Sequence, residues 1–534
     1  MEKRVVLFLI ISLVIVFAYP YLIRRIAPSP AAGKKPLRAS EPPRATSGGE
    51  RAPRGEANLA VSDKEQLIVD TDLYTAVFSS HGGVLASWSL KRYRNELAKG
   101  AEEKEGSPIE LVTAGPASPN PALAIRSENH DFSRFAFRVD GGDLSLLGPG
   151  ASGSIRFVYS DPVTHEEIIK EYSFRGGTYA FSLKVTTSGL KGGYQLGLGE
   201  NTGIHSWTQS FGGLVGPFGR VNGENRTENP KKITAPVIWE GDIEIASQQD
   251  KYFLAAVYPE TPLQGAIEIH RDGEGQLSTD IRLPAAEAEK PQSFGVYLGP
   301  KEYDRLQALG RHLEDTIDFG WFIFGSWWIV RIIAKPLFSI LQFIYTFSHN
   351  YGVAIILVTC LVKSLFLPIS LRGVRSMRSM QEIQPKLAAL KKKYEKDREK
   401  LNREMIELYR EHNINPLGGC LPMLIQLPVF VALFNVLYVS IEMRQAPFVF
   451  WIHDLSSFDH FYILPILYGA TTYLLQRTQP SGMDPQQAKM TAIFIPIFTT
   501  GLFLNFPSGL VLYWVLNNLL SIGQQHLMGQ PAKG

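Results

Sequence analysis

The chain has 534 residues, which is enough for two or three domains. Its formal net charge of +3 at pH 7 is too small to indicate a nucleic-acid partner, and none is expected. The only two cysteines, Cys360 and Cys420, lie in apolar runs, so the sequence contains neither a disulfide framework nor a thiolate metal site.

The N-terminal segment is apolar from Val5 to Ile23 and follows a charged start. A cleaved signal peptide is the alternative, but Arg24 and Pro28 stand where a cleavage site is expected and no A-x-A sequence occurs. We therefore predict that residues 1–26 form an uncleaved transmembrane signal anchor. Residues 27–57 are rich in Pro, Gly, Ser and Arg, a composition that predicts a flexible linker.

Residues 58–318 alternate short strand-like runs with turn signals. Apolar and polar residues alternate with period two, which is typical of half-buried strands, in Gln66–Asp70, Tyr74–Phe78, Ser154–Tyr159, Ala180–Val185 and Ala266–His270. No repeat of fixed length occurs, which argues against a propeller. The pattern predicts a large all-β sandwich domain.

Chemistry-bearing motifs are sparse in this predicted sandwich. Its histidines have no paired metal-ligand spacing, and the chain has no phosphate-binding loop. We expect no metal, no cofactor and no catalytic residue, and a structural or docking role for the domain. The sequence does not exclude a convergent pair of carboxylates, so an exported sugar-active enzyme on a membrane anchor stays open as an alternative.

Residues 319–348 begin the apolar C-terminal half of the chain. The aromatic run Phe319–Val330 is too short to span a bilayer, and it contains Trp321, Trp327 and Trp328. This pattern predicts interfacial helices along the membrane surface, with Pro336 starting a second helical stretch.

The following core, residues 349–527, contains five apolar stretches that we predict to be spans, at about 350–370, 418–441, 461–475, 490–506 and 508–524. The loop 371–415 carries twelve lysines or arginines against seven acidic residues, which predicts a cytoplasmic position. With the N-terminal anchor this gives six spans, both termini in the cytoplasm, a short C-terminal tail at 528–534, and the β domain on the opposite side.

The loop 371–415 also repeats apolar residues at helical spacing, including Leu387, Leu390 and Leu408. We predict a helical hairpin, with Pro385 at a helix start or a kink. Such a hairpin could receive a ribosome, a targeting receptor or a nascent chain. The alternative, a solvated helix pair that only connects two spans, stays open at this point.

Lys363 lies inside an apolar span, where a lysine costs roughly 2.5–3.5 kcal/mol on insertion scales. Thr359 precedes it by one turn, Gln426 lies in the next span, and a polar strip follows the last span through Tyr513, Trp514, Asn517, Asn518, Ser521, Gln524 and Gln525. No acidic residue within the spans is available to pair with the lysine. We predict a polar, water-filled groove around Lys363; snorkelling of the lysine to the cytoplasmic interface is the alternative.

Several long motifs resemble one known family, the YidC/Oxa/Alb family of membrane protein insertases in its Gram-negative form with a large periplasmic domain. They are Asn415–Pro422, Gln426–Phe430, Met443–Phe448, Trp451–Leu455 and Phe506–Trp514. These motifs occur in the order and at the separations of the family. The resemblance is close over residues 350–525 and weaker in the β domain.

The resemblance implies a bacterial inner-membrane protein that inserts nascent membrane proteins without nucleotide hydrolysis and is not an enzyme. Its implied partners are nascent chains, membrane lipids and the Sec translocon, and we expect a monomer. The groove would comprise Lys363, Thr359, Tyr513, Trp514, Asn517, Asn518 and Gln426, and the substrate's apolar segment would slide along Leu424, Phe430, Phe434, Phe494 and Phe498. A secondary transporter with an exported capture domain is the alternative, but it predicts inverted repeats that the sequence lacks.

Two departures from the family pattern stand out. The family usually has arginine where Lys363 stands, so bidentate capture of a carboxylate is lost while the point charge is kept. The chain also lacks a long basic tail after His526, so we do not expect the C-terminus to dock on a ribosome.

Overall fold

The computed structural model describes residues 65–95, 106–112, 115–190, 192–204, 215–273, 275–319, 328–394, 397–412, 421–478 and 485–527. The chain divides into two compact units: a β unit of residues 56–331 with 439–442, and a helical unit containing 332–438 and 443–534. The predicted anchor 1–26, linker 27–57 and tail 528–534 lie outside the described residues, as do Trp321 and Trp327.

The described part of the β unit is built almost wholly of strands, and every run that the sequence predicted as a strand is one. The strands are β1 Gln66–Thr71, β2 Tyr74–Ser79, β3 Val84–Arg94, β4 Pro108–Glu110, β5 Ile125–Ser127, β6 Arg138–Asp140, β7 Leu144–Leu146, β8 Ser152–Ser160, β9 Glu167–Arg175, β10 Ala180–Ser188, β11 Tyr194–Glu200, β12 Gly216–Val221, β13 Glu224–Thr227, β14 Val237–Gln249, β15 Phe253–Pro259, β16 Leu263–Arg271, β17 Leu277–Leu283 and β18 Gln292–Pro300. Two short α-helices accompany them in the described residues, α1 Ala285–Ala288 and α2 Tyr303–Ala308.

Two sheets pack face to face in this unit. The smaller has the order β4-β3-β2-β1-β7, and the larger runs β5-β11-β17-β16-β14-β15-β18-β10-β9-β8-β6, with β12 and β13 attached at β14. Aromatic rings join the sheets: Trp88 stacks on Phe181 with 5.4 Å between ring centroids, and Phe78 lies 4.7 Å from Tyr172. All four rings belong to one buried core, which confirms the predicted sandwich.

A lysine is built into this core. Lys170 on β9 is fully buried, and its Nζ donates to the carbonyl oxygens of Gly82, Gly83 and Leu123 at 3.0, 2.6 and 2.6 Å. Gly82 and Gly83 form the turn after β2 with φ of +75° and +53°, a left-handed backbone that favours glycine. The turn therefore points two backbone acceptors at one ammonium group.

The described part of the helical unit, with the segment that leads into it, consists mainly of helices, apart from an irregular connection at 444–462. The helices are α3 Trp328–Ser348, α4 Tyr351–Glu382, α5 Gln384–Lys393, α6 Arg398–Glu411, α7 Leu421–Val439, α8 Ile463–Thr478, α9 Pro485–Phe503 and α10 Ser508–Leu527. Four of them carry an internal proline: Pro336, Pro368, Pro428 and Pro496. Pro336 therefore does not begin a helix, as the sequence had suggested, but lies within α3.

The loop 371–415 forms the predicted helical hairpin in its described part. Pro385 stands in the first turn of α5, as expected, and Asp397 caps α6 by accepting from the backbone N–H of Lys400 at 3.0 Å. The two helices share a small core of Ile383, Leu387 and Leu408. The hairpin is therefore held by apolar contacts and not only by its connections.

Two described helical segments are long and apolar enough to cross a membrane, Ile329–Ser348 and Tyr351–Glu382. Two shorter apolar segments are Ile425–Val439 and Met490–Phe503. By length and composition α3 is a candidate span, with a mean hydropathy of 1.4 against 2.3 for α4, whereas the sequence predicted interfacial helices there. Six spans thus remain a prediction.

Candidate functional site

Lys363 lies in the middle of α4 and reaches across to α10. Its Nζ donates to Asn517 Oδ1 at 3.1 Å and to Ser521 Oγ at 2.8 Å. Asn517 and Ser521 are four residues apart, so both side chains leave the same face of α10. Among the residues that the structure describes, no carboxylate lies within ion-pair distance of this ammonium group.

A second polar contact joins the same two helices one turn further along α10. Gln524 Nε2 donates to Ser370 Oγ at 2.9 Å. Asn517, Ser521 and Gln524 therefore form a polar edge that faces α4. The sequence had placed Ser521 and Gln524 on the polar strip but left them out of the predicted groove, although their positions, four and seven residues after Asn517 and hence on the same helix face, were the signal that would have included them.

Asn518 points to a different neighbour. Its Nδ2 donates to Thr471 Oγ1 at 3.2 Å and to Thr472 Oγ1 at 2.9 Å, both on α8, and all three side chains are buried. Successive helical residues are rotated by about 100°, so Asn517 and Asn518 cannot face the same partner. The strip of α10 thus has two faces, and the Asn518 face fixes the rotation that turns Asn517 towards Lys363.

Thr359 is buried one turn before Lys363, but its hydroxyl donates to its own helix, to Ile355 O at 2.6 Å. A hydroxyl bonded in this way keeps its donor inside α4. The structure therefore places Thr359 beside the site without a bond to the lysine.

Tyr513 and Trp514 lie towards the other end of α10, in an aromatic cluster. Trp514 stacks on Phe503 with 4.0 Å between ring centroids and on Phe430 with 5.7 Å, and Phe434 lies 6.4 Å away. Tyr513 lies 6.0 Å from Phe430. This cluster connects α7, α9 and α10 and forms an apolar wall rather than a polar lining.

The predicted apolar slide is distributed over α7 and α9. Phe430 and Phe434 belong to the aromatic cluster, whereas Phe494 and Phe498 stack on each other at 5.6 Å and are half-buried. Their neighbours Ile493 and Ile497 are 58% and 64% exposed, so this side of α9 presents a continuous apolar surface.

Two residues of the predicted site have no described contact. The Leu424 side chain lies outside the described residues. Gln426 is half-buried on α7, and no hydrogen bond links it to Lys363.

Comparison with known proteins yields matches over the whole chain. The family model described as "60Kd inner membrane protein" matches residues 343–533, and that described as "YidC periplasmic domain" matches residues 216–340. A relative from Syntrophus aciditrophicus, named "Membrane protein insertase YidC", is 36% identical over 564 residues, and the match covers 100% of both chains. A protein of the same name from Oleidesulfovibrio alaskensis is 37% identical over 559 residues, covering 99% of each chain.

The solved structure described as "Active YidC insertase crystal structure with the first transmembrane domain resolved" is 18% identical. The match covers 87% of this chain and 92% of that one, with a TM-score of 0.37.

Proposed function

Because this chain belongs to the YidC family of membrane protein insertases, we propose that Lys363 and the polar edge of α10 form its substrate-binding groove. Members of this family insert membrane proteins; they are not enzymes, and their names imply an inner-membrane protein with a periplasmic domain. The observation that carries the proposal is a cation at the middle of an apolar helix whose described partners are neutral side-chain oxygens.

The groove would hold the polar tail of a nascent membrane protein for a short time. An acidic or carbonyl-rich tail can replace Asn517 and Ser521 as the acceptor of the Lys363 protons, because both are side-chain groups that rotate away. The remaining five members of the predicted set would then be neighbours of the groove: Thr359, Gln426, Tyr513, Trp514 and Asn518. Asn518 would act by orienting α10.

The driving force would be burial of the substrate's apolar segment in lipid, at about 25 cal/mol per Å² of apolar surface. Leu424, Phe430, Phe434, Phe494 and Phe498 would guide that segment along α7 and α9. A membrane potential would assist an acidic tail that moves towards the periplasm, by about 2.3 kcal/mol per charge per 100 mV. No nucleotide hydrolysis enters this scheme.

We further propose six spans with both termini in the cytoplasm and the β domain in the periplasm. The basic loop 371–415 supports this orientation. The anchor 1–26 would be the first span and residues 319–348 would lie at the interface, because a crossing by α3, which its length allows, would add a seventh span and move the hairpin out of the cytoplasm. Cysteine accessibility on the two sides of the membrane, probed in α3 and in the hairpin, distinguishes these arrangements.

The hairpin of α5 and α6 would be the docking point for a ribosome, a targeting receptor or the nascent chain itself. Its basic residues face outwards, with Lys386 and Lys391 exposed. The insertase would work alone, as a monomer, or beside the Sec translocon.

Site-specific photocrosslinking to a stalled nascent membrane protein tests the groove. We expect probes at Lys363, Thr359 and Trp514 to crosslink at chain lengths that bring the substrate's polar tail to mid-membrane. A probe at Leu365, whose side chain is 71% exposed on the same helix, is the matched control and should crosslink mainly to lipid.

If only probes on α9 crosslink, the insertion function would stand, but the substrate would not pass through the charged groove. Silence at every position would leave the groove and the slide without support.

A further inference from the structure

A polar cavity opens on one face of the β unit, and insertion in the membrane does not account for it. Neighbouring strands β5, β11, β17, β16 and β14 form its floor and walls, and its volume is about 650 Å³. This size lies within the range of small-molecule sites, about 300–1,000 Å³. The charged and amide side chains that line it are Arg126, Glu128, Gln195, Glu240, Gln264 and Arg282.

Strand register places three of these side chains in one row. Gln195 on β11 stands opposite Arg126 on β5 and opposite Arg282 on β17. Residues directly opposite each other on antiparallel strands project to the same face of the sheet. The row therefore presents two guanidinium groups with an amide between them.

Two carboxylates lie beside this row. Glu268 on β16 and Asp280 on β17 stand opposite each other. Glu268 accepts from Gln195 Nε2 at 3.0 Å and pairs with Arg282 Nε at 2.8 Å, and Asp280 lies 3.5 Å from Arg126 Nη1. Opposite Asp280 stands Gly197, where a Cβ atom would come within 2.9 Å of the carboxylate oxygen. The missing side chain leaves room for Asp280.

Glu268 and Asp280 are a carboxylate pair of the kind that the sequence left open as a mark of a sugar-active enzyme, but neither residue belongs to the lining of the cavity. Each carboxylate is, however, engaged by an arginine, and an engaged carboxylate serves as a fixed acceptor rather than as a proton donor or a nucleophile. The arrangement is that of a binding site, with its hydrogen-bonding groups held in place before a ligand arrives.

We infer that this cavity binds a neutral polyhydroxylated compound, such as a mono- or disaccharide. Each hydroxyl group both donates and accepts, so it fits between a guanidinium or amide donor and a carboxylate acceptor. The lining carries two arginines, Arg126 and Arg282, and two carboxylates, Glu128 and Glu240, so its charges balance and favour neither an anion nor a cation.

An extended peptide fits less well. The apolar lining residues are Ala266, Leu283, Pro284 and Ala285, and Leu283 is fully buried, so the cavity has no large exposed apolar surface to hold a peptide side chain. Addition of a peptide strand at β5 is also blocked, because Asp131 already bridges to Arg126 there.

Saturation-transfer NMR on the full-length protein in lipid nanodiscs tests the inference with glucose, galactose, N-acetylglucosamine, maltose and cellobiose, each at about 10 mM. We expect at least one of them to bind. Arg282→Gln and Glu240→Gln should each weaken its binding about tenfold or more. The control Arg138→Gln, on β6 at the other end of the sheet, alters a surface ion pair with Asp140 and should leave affinity unchanged.

Glu240 is 75% exposed in its side chain, so its substitution tests binding even where Arg282→Gln disturbs the fold. The inference is overturned if none of the five saccharides binds, if both cavity variants bind as the wild type does, or if glucose 6-phosphate or a tripeptide displaces the bound sugar more effectively than free sugar does. Insertion by Lys363 variants is a separate measurement, so failure of either proposal leaves the other standing.

Discussion

The two units each hold a lysine away from bulk water, and they satisfy it in different ways. In the β unit, Lys170 donates to three backbone carbonyls of loops that are themselves packed into the core. In the helical unit, Lys363 donates to the side chains of Asn517 and Ser521. Backbone carbonyls cannot leave without unfolding the loops that carry them, whereas side-chain oxygens rotate away at the cost of one or two hydrogen bonds.

The difference separates a structural cation from an available one. Lys170 ties the turn at Gly82 and Gly83 to the segment at Leu123, so it joins parts of the chain that lie 47 and 88 residues from it. Lys363 donates two hydrogen bonds to side chains, and a substrate tail with two acceptor oxygens could replace both. We therefore expect Lys170 to govern stability and Lys363 to govern insertion.

The largest effect is expected from Lys170→Met, which leaves the buried carbonyls of Gly82 and Leu123 without their donor, whereas the Gly83 carbonyl keeps a bond from the Tyr172 hydroxyl at 2.7 Å. At about 1 kcal/mol or more for each unsatisfied group, the β unit should lose about 2 kcal/mol of unfolding free energy. Urea unfolding of the full chain, followed by β-sheet circular dichroism, measures this loss. Lys184→Met, an exposed lysine on the neighbouring strand β10, is the control and should change stability by less than about 0.5 kcal/mol. Equal effects of the two substitutions would contradict a structural role for Lys170.

The unfolding free energy of the β unit should depend on pH, because the unit buries lysine side chains. Burial lowers the pKa of Lys170 and of Lys301 to about 7. The unfolded chain, with lysine pKa values near 10.4, then binds more protons than the folded β unit between about pH 7 and pH 10, so stability should rise with pH across that window.

The expected slope is at most about 1.4 kcal/mol per pH unit for each lysine. Lys170→Met should remove about half of it. Urea titrations at several pH values measure the slope, and a flat profile in the wild type would show that the ammonium groups stay charged through their carbonyl bonds.

The smallest effect is expected at Lys363, where substitution should change insertion activity and not the stability of the fold. Lys363→Gln should reduce insertion of a reporter with an acidic tail about fivefold, which corresponds to about 1 kcal/mol, while Lys363→Arg should retain it because the charge is kept. Protease protection of the reporter in proteoliposomes measures insertion. Lys335→Gln, an exposed residue on α3, is the control. If the glutamine variant inserts as well as the arginine variant, charge at this position has no role.

The strands of the β unit were predictable because the alternation of apolar and polar residues with period two can be recognised in a single sequence. Ala180–Val185 shows it, and β10 extends only a few residues further, to Ser188. Helix ends in the other unit were not predictable in this way. The apolar stretch ends near residue 370, yet α4 continues to Glu382, because loss of apolar character marks a solvent boundary and not the end of hydrogen bonding.

The candidate site could be predicted in part. Lys363 stood out because a charge in an apolar run is costly, and Asn517 stood out on the polar strip. The sequence could not divide that strip between two neighbours, because the division depends on where α4 and α8 lie around α10. The alternation of β9 places Lys170 on the buried face with Ile168 and Tyr172, but the sequence could not reveal its acceptors, because all three are backbone atoms.

The internal prolines described above bear on how the helical unit bends. A proline inside a helix removes one backbone hydrogen bond and separates the turns on either side of it. Pro368, Pro428 and Pro496 each do this in α4, α7 and α9. In α9 the Thr500 hydroxyl also donates to the Pro496 carbonyl at 2.7 Å, and such a bond to the carbonyl four residues back itself tends to bend a helix. Each of these three helices should therefore bend most easily at one known point, the turn that contains its proline.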